Sequence, residues 1–232
     1  MFFEDEDVNL KRSVLILSEI EGKPISEYPN SAARDNALLE AGRDLAKINE
    51  VKIDSYGYVN FTKGIYTMGG DFKSLEEFAM AGTIEGLEEL YNLGLISKET
   101  REKCRRILER SKQYLVADFP HLLHGDFGGR HIFFDGNSYT GILDFGDIRG
   151  GSQYHDLAHL RAFYPDIFET VLKGYQGYTK LPKNVKQIIA FESMLILLSK
   201  INWIVQHKIE RLNKYKWVGH YIDEQVDFLF HN

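Results

Sequence analysis

The stretch HLLHGDFGGRHIFFDGNSYTGILDFGD, residues 121–147, limits what this chain can fold into more than any other part of it. It sets a histidine and an aspartate on a glycine-rich turn, then alternates apolar and polar residues in HIFFD and again in YTGILDF. A period of two reads as β-strand. The tripeptide DGN at 135–137 has the residues a tight hairpin turn demands, so the two strands run back antiparallel and their outer ends converge. Glycines at 125, 128 and 129 permit positive φ and close backbone approach, which lets Asp126 project from a tight loop. Asp144 and Asp147 emerge at the mouth of the returning strand, Asp144 eighteen residues after Asp126. Two carboxylates meeting at one mouth suit a reaction with a hydroxyl to deprotonate and a hard cation to hold.

Around this hairpin the period changes to that of helices, and no internal repeat is present. Residues 1–29 read as two strands, MFFEDED and RSVLILSEIEG, joined by a charged turn and followed by breaks at Gly22, Pro24 and Pro29. Ser31 is placed to cap a helix over AARDNALLEAGRDLAKINEV, and residues 51–70 read as a loop rich in Gly and Tyr. Two helices are predicted next: SLEEFAMAGTIEGLEELYNLGL, and SKETREKCRRILERSKQYL with Ser97 at its cap. From YHDLAHLRAF onward the pattern is helical with breaks at Pro165 and Pro182, so the hairpin is the one β region expected beyond residue 30. The expected class is α+β and mainly α, with a boundary near residue 30 dividing a small β portion, 1–29, from a helical body, 30–232.

Composition removes several alternatives. With 232 residues and 44% hydrophobic content the chain can bury a substantial core. Its single cysteine, Cys104, excludes an internal disulfide and a cysteine-based zinc site and fits a reducing cytoplasm. The acidic start MFFEDEDVNL lacks the form of a secretory signal. The most apolar run, 188–205, contains Glu192, Lys200 and Asn202 and reads as a core helix with Trp203 inside it, so no membrane partner is expected. A net charge of -6 without a basic block argues against a nucleic-acid surface.

The segment LLHGDFGGRHIFFDGNSYTGILDFGD resembles the catalytic and metal-binding segment of the aminoglycoside phosphotransferase and choline kinase-like family, relatives of the protein kinases. The family pattern is His-Gly-Asp, four residues and Asn, then an apolar strand ending in a metal-holding Asp. Upstream, VLILSEIEGKPI looks like the strand and hinge bordering an adenine pocket, and AGRDLAKINEVKIDSYGYV like the helix that follows. Downstream, GGSQYHDLAHL resembles the segment whose Asp braces the catalytic loop. The resemblance implies a kinase-like C-terminal lobe with an embedded catalytic hairpin, plus a remnant N-terminal hairpin and hinge. It implies ATP and Mg2+ as cofactors and a small hydroxylated molecule, such as an aminoglycoside or amino alcohol, as acceptor. Asp126 would be the base, Asp144 the magnesium ligand and Asp156 a brace, and backbone at Ser18, Glu19 and Ile20 would face the adenine edge.

The pattern is departed from in two places. His131 stands where the family has its second metal ligand, Asn, and imidazole suits magnesium poorly. No Gly-x-Gly occurs, and Gly22-Lys23 is followed by Pro24, so most of the lobe carrying the phosphate loop and lysine is expected to be missing. A weak or inactive kinase follows, with two alternatives: a catalytically dead ligand-binding module, or half of a two-chain kinase with a separate small-lobe partner. A strand edge left open would favour homo-oligomers. The remaining alternative is a metal-dependent hydrolase using His121, His124, Asp126 and His131. The resemblance also implies that carboxylates of the helical region meet a cationic acceptor, which makes Glu192, Asp223 and Glu224 candidates.

Overall fold

The computed structural model of the protein describes residues 2–7, 12–16, 18–59, 61–62, 65–66, 70–207 and 215–231. The first two strands, β1 (Phe2–Asp7) and β2 (Arg12–Ile16), pair antiparallel with Phe2 opposite Ile16. The charged turn expected between them lies outside the described residues. A short strand β3 (Lys23–Pro24) then joins the sheet of the central hairpin, pairing with β8 (Ile132–Phe134), which in turn pairs with β9 (Tyr139–Ile142). The hairpin turn forms as the sequence requires. Asp135 Oδ1 accepts from the backbone N–H groups of Asn137 and Ser138, both at 2.7 Å, an Asx arrangement that substitutes a side chain for the backbone turn bond.

Local rules also place the helices. Ser31 Oγ accepts from Arg34 N at the start of α1 (Ala32–Asn49), which satisfies one of the donors a helix start leaves open. Ser97 Oγ does the same for Thr100 N at α4 (Lys98–Glu109). The single helix expected over 74–95 is two: α2 (Leu75–Met80) and α3 (Thr83–Asn92). Gly82 breaks it with a φ of 73°, a conformation only glycine adopts readily. Tertiary contact selects that break, because Ser199 Oγ donates to Ala81 O at 2.7 Å from a neighbouring helix.

The break expected at Pro165 is present, and the proline begins the next helix. After α5 (His155–Phe163), helix α6 (Pro165–Gln176) has the proline at its first position, where the missing N–H costs nothing. Two more helices follow, α7 (Val185–Gln206) and α8 (Trp217–His231). By length and composition α7 could cross a membrane, yet 67% of its most apolar window is buried inside the protein. It is apolar nearly all round because it serves two cores at once. Val185, Ile188 and Ile189 join α1, α5, α6 and the hairpin, whereas Phe191, Met194 and Leu198 join α3, α4 and α8.

The loop expected over 51–70 contains strands. β4 (Gly57–Tyr58) pairs with β10 (Arg149–Gly151), which pairs with β7 (His121–Leu123). The two-residue strands β5 (Phe61–Thr62) and β6 (Ile65–Tyr66) form a second hairpin. Strands this short carry too little alternation to be seen in sequence. The stretch 121–147 is therefore not the sole β region beyond residue 30, and it supplies strands to two small sheets, β7 to one and the β8–β9 hairpin to the other. Helices and small antiparallel sheets together form an α+β, mainly α, kinase-like fold.

Candidate active site

The loop between β7 and β8 is held from three sides. Asp156, fully buried on α5, accepts from His124 N and Gly125 N at 2.9 Å each and from Asn49 Nδ2 at 3.1 Å. Asn49, at the end of α1, also donates to Leu122 O. Asp156 thus braces the loop from behind, as the resemblance implies. His124, also fully buried, donates from Nε2 to Leu143 O at 2.9 Å while its Nδ1 faces Asp126 N at 3.4 Å. One imidazole thereby joins the backbone of Asp126 to the strand end that precedes Asp144. Phe127 is buried completely beneath the loop, and removing such a ring from water contributes about 2–3 kcal/mol toward fixing the loop.

Gly125 has a φ of 88°, and a Cβ there would lie 2.0 Å from Asp147 O and 2.7 Å from Arg149 Nε. The glycine lets Arg149 reach Gly125 O at 2.9 Å and Asp147 O at 3.1 Å. The same guanidinium stacks over Tyr58 at 4.3 Å.

Pinned in this way, the Asp126 side chain is half exposed, at 51%, in the wall of a cavity of about 650 Å³. Its Oδ1 lies 3.2 Å from His159 Nε2. His159 Nδ1 donates to Phe127 O at 3.0 Å, so in the neutral ring Nε2 is an acceptor facing another acceptor. Such a pair is stable when one proton lies between its members. Burial is the largest influence on His159 and lowers its pKa, against the carboxylates of Asp126 and Asp156, which raise it. Sequence reading missed His159 and Arg149; both contacts depend on folding rather than on any motif.

Asp144 stands beyond the end of β9, the one non-glycine among the described residues with positive φ, 67°. Its side chain is exposed, and its Oδ2 is 3.7 Å from His131 Nε2. His131 Nδ1 donates to Asp126 O at 2.8 Å, so a neutral ring leaves Nε2 with a free lone pair toward Asp144. His131 thus touches both the backbone of Asp126 and the carboxylate of Asp144. Asp144 itself is not part of the cavity wall, whereas Asp147 is.

Ser18 and Glu19 are exposed and Ile20 is half-buried in a segment without regular secondary structure. That segment lies along the hairpin, with Thr140 Oγ1 donating to Glu21 O at 2.8 Å. The hydrolase set does not assemble. His121 is occupied by Asn49 O at 2.6 Å and Asp118 Oδ1 at 3.1 Å, and His124 by its own loop. Among the described residues no three His, Cys, Asp or Glu side chains form a metal-binding group.

Two expectations for the helical region change. Trp203 is not core: it is 47% exposed and lines the cavity, because it lies on the face of α7 opposite the one that buries Ile201 and Ile204. Asp223 accepts from Thr100 Oγ1 and so ties α8 to α4, and Glu224 pairs with His220 at the surface. Of the three carboxylates, Glu192 alone faces the cavity.

An aspartate on a loop braced from the helix behind it, at the rim of a cavity, is the arrangement expected of a kinase-like lobe. The family model described as phosphotransferase enzyme family, APH, matches residues 2–184, and the chain belongs to that family. No curated protein matches the chain in sequence. Among solved structures, the apo form of a thermostable mutant of aminoglycoside phosphotransferase APH(4)-Ia is similar at a TM-score of 0.64 and 15% identity, over 90% of this chain and 70% of that one. The gentamicin complex of APH(2")-IIa is similar at 0.54 and 17%, over 93% and 69%. A protein assigned as a fructosamine-3-kinase from Thermobifida fusca is similar at 0.56 and 16%, over 85% and 67%.

Proposed function

We propose that this chain transfers phosphate from ATP to a hydroxyl of a small molecule, with Asp126 as the base that orients the hydroxyl and accepts its proton. The observation that carries this reading is the placement of Asp126: a carboxylate on a loop fixed by Asp156, His124 and Phe127, half exposed to a cavity large enough for a metabolite. Nearly all of phosphoryl transfer is positioning and charge stabilisation, so a rigid base at a cavity rim is what the protein must supply. Structures of APH(4)-Ia hold ADP or AMP-PNP together with hygromycin B, which supports a nucleotide and a hydroxylated acceptor as the two ligands here.

Magnesium usually takes one or two carboxylates and completes its shell with water and phosphate oxygens. Asp144, an exposed carboxylate beside the hairpin, fits that need, and His131 adds a nitrogen donor that magnesium prefers less. Bound there, the cation would neutralise phosphate charge. The chain's own groups do the remainder. The backbone of Ser18, Glu19 and Ile20 faces the adenine edge, and His159 keeps the Asp126 carboxylate aimed into the cavity.

A second reading, a module that binds its ligand without turnover, draws on His131 at the position of the second metal ligand. ATP consumption in the presence of an alcohol panel separates the two. Turnover that disappears in Asp126→Ala supports the kinase, whereas ligand binding with no turnover under any divalent cation supports the binding module.

A further inference from the structure

Glu192 sits at the middle of α7 with its side chain 4% exposed, and it lines the same cavity as Asp126. Its Oε1 has no hydrogen-bond partner, and its Oε2 is 3.9 Å from His155 Nδ1. An unpartnered buried acceptor is costly and calls for an explanation, and in the wall of a cavity a polar group of a ligand supplies one. The surrounding wall is apolar: Phe78, Phe163 and Trp203 present their rings, with Leu195 and Ile196 from α7 itself.

The charges of the cavity are balanced. Asp126 and Asp147 stand against Arg149 and Lys200. Burial, with Arg149 and His159 nearby, lowers the pKa of His155 far enough to keep that ring neutral. Burial likewise pushes the Glu192 carboxyl up to about 8, with Ser152 pulling it down and Asp156 adding to the rise. Apart from these matched charges the one remaining carboxyl, Glu192, is buried among apolar rings, so the wall lacks the several exposed carboxylates that a ligand carrying several amines needs.

We propose that this cavity is the acceptor site and that Glu192 selects the acceptor: a compact alcohol with an aromatic or alicyclic body and one uncharged polar group paired with the Glu192 carboxyl, not a polyamine sugar. The inference rests on Asp126 as the base, since the reacting hydroxyl must lie beside it while the second polar group reaches Glu192. It extends that reading by fixing which part of the acceptor meets α7.

Binding without nucleotide tests the site separately from catalysis. The probes for isothermal titration are 3-phenylpropane-1,2-diol, its analogue 2-amino-3-phenylpropan-1-ol, and gentamicin. The diol should bind more tightly than either amine. Glu192→Gln, which keeps a neutral donor and acceptor, should retain its affinity within about threefold, whereas Glu192→Leu should lose about tenfold or more. Tighter binding of gentamicin or the amino alcohol that collapses in Glu192→Gln would show a cation site and overturn the proposal. So would an affinity for the diol that is unmeasurable at millimolar concentration or indifferent to Glu192→Leu. Circular dichroism confirms that both variants are folded, and Glu192→Gln remains decisive if the Leu variant is not. Phosphate transfer from ATP is then measured on the same probes. Diol binding without transfer leaves the acceptor site standing and removes the kinase reading; transfer to gentamicin without diol binding does the reverse.

Discussion

Asp156→Ala takes away an acceptor on which two backbone donors depend. His124 N and Gly125 N each give their bond to this carboxylate at 2.9 Å, and the side chain is fully buried. A buried donor left without a partner costs about 1–3 kcal/mol, so the pair costs about 2–6 kcal/mol. Asn49 contributes little to the loss, because its amide keeps Leu122 O. Asp156→Asn retains the volume and one oxygen, so one N–H finds an acceptor while the other meets the new amide nitrogen, for a loss of about 1–3 kcal/mol. Stability should fall in the order wild type, Asn, Ala, read by urea denaturation with far-UV circular dichroism and a common slope. A domain stabilised by about 5–15 kcal/mol tolerates the Asn variant in all cases, so the test survives even if the Ala variant unfolds. Both variants within about 0.5 kcal/mol of wild type would refute the reasoning, since the two donors would then have other partners.

Three further outcomes follow from the same geometry. Gly125→Ala places a Cβ 2.0 Å from Asp147 O at a φ of 88°, and thermal unfolding should fall by at least about 3 °C. His159→Phe removes the partner of Asp126 Oδ1 while filling the same space; kcat should fall about 100-fold with KM little changed, and an unchanged kcat would show that Asp126 needs no support from α5. Glu192 gives a pH signature. Its folded value, about 8, lies above the ordinary 4.5, so the native state holds a proton that the unfolded chain releases. Stability should therefore decline as pH rises from about 5 to 8 and level off beyond, and Glu192→Gln should abolish that slope in denaturation measured across the range.

The contrast between Trp203 and Ser97 shows where sequence reading succeeds. Ser97 caps the helix that begins at the next residue, and its bond to Thr100 N three residues on is decided by immediate neighbours. Trp203 lies in a run apolar enough to be core throughout, and only the packing of α7, which buries Ile201 and Ile204, determines that its ring reaches the cavity instead. The break at Gly82 is similar: glycine permits it, but a helix lets glycine continue at a cost of about 1 kcal/mol, so the contact from Ser199 decides.

By itself the sequence determined the hairpin with its Asx turn and the helices behind Ser31 and Ser97, all of which rest on interactions within a few residues. Tertiary structure alone decided that His159 would face Asp126, that Arg149 would lock Gly125, and that Glu192 would look into the cavity from α7. Those contacts join residues separated by 24 or more positions, and no local pattern encodes them because their energy exists only once the helices have packed.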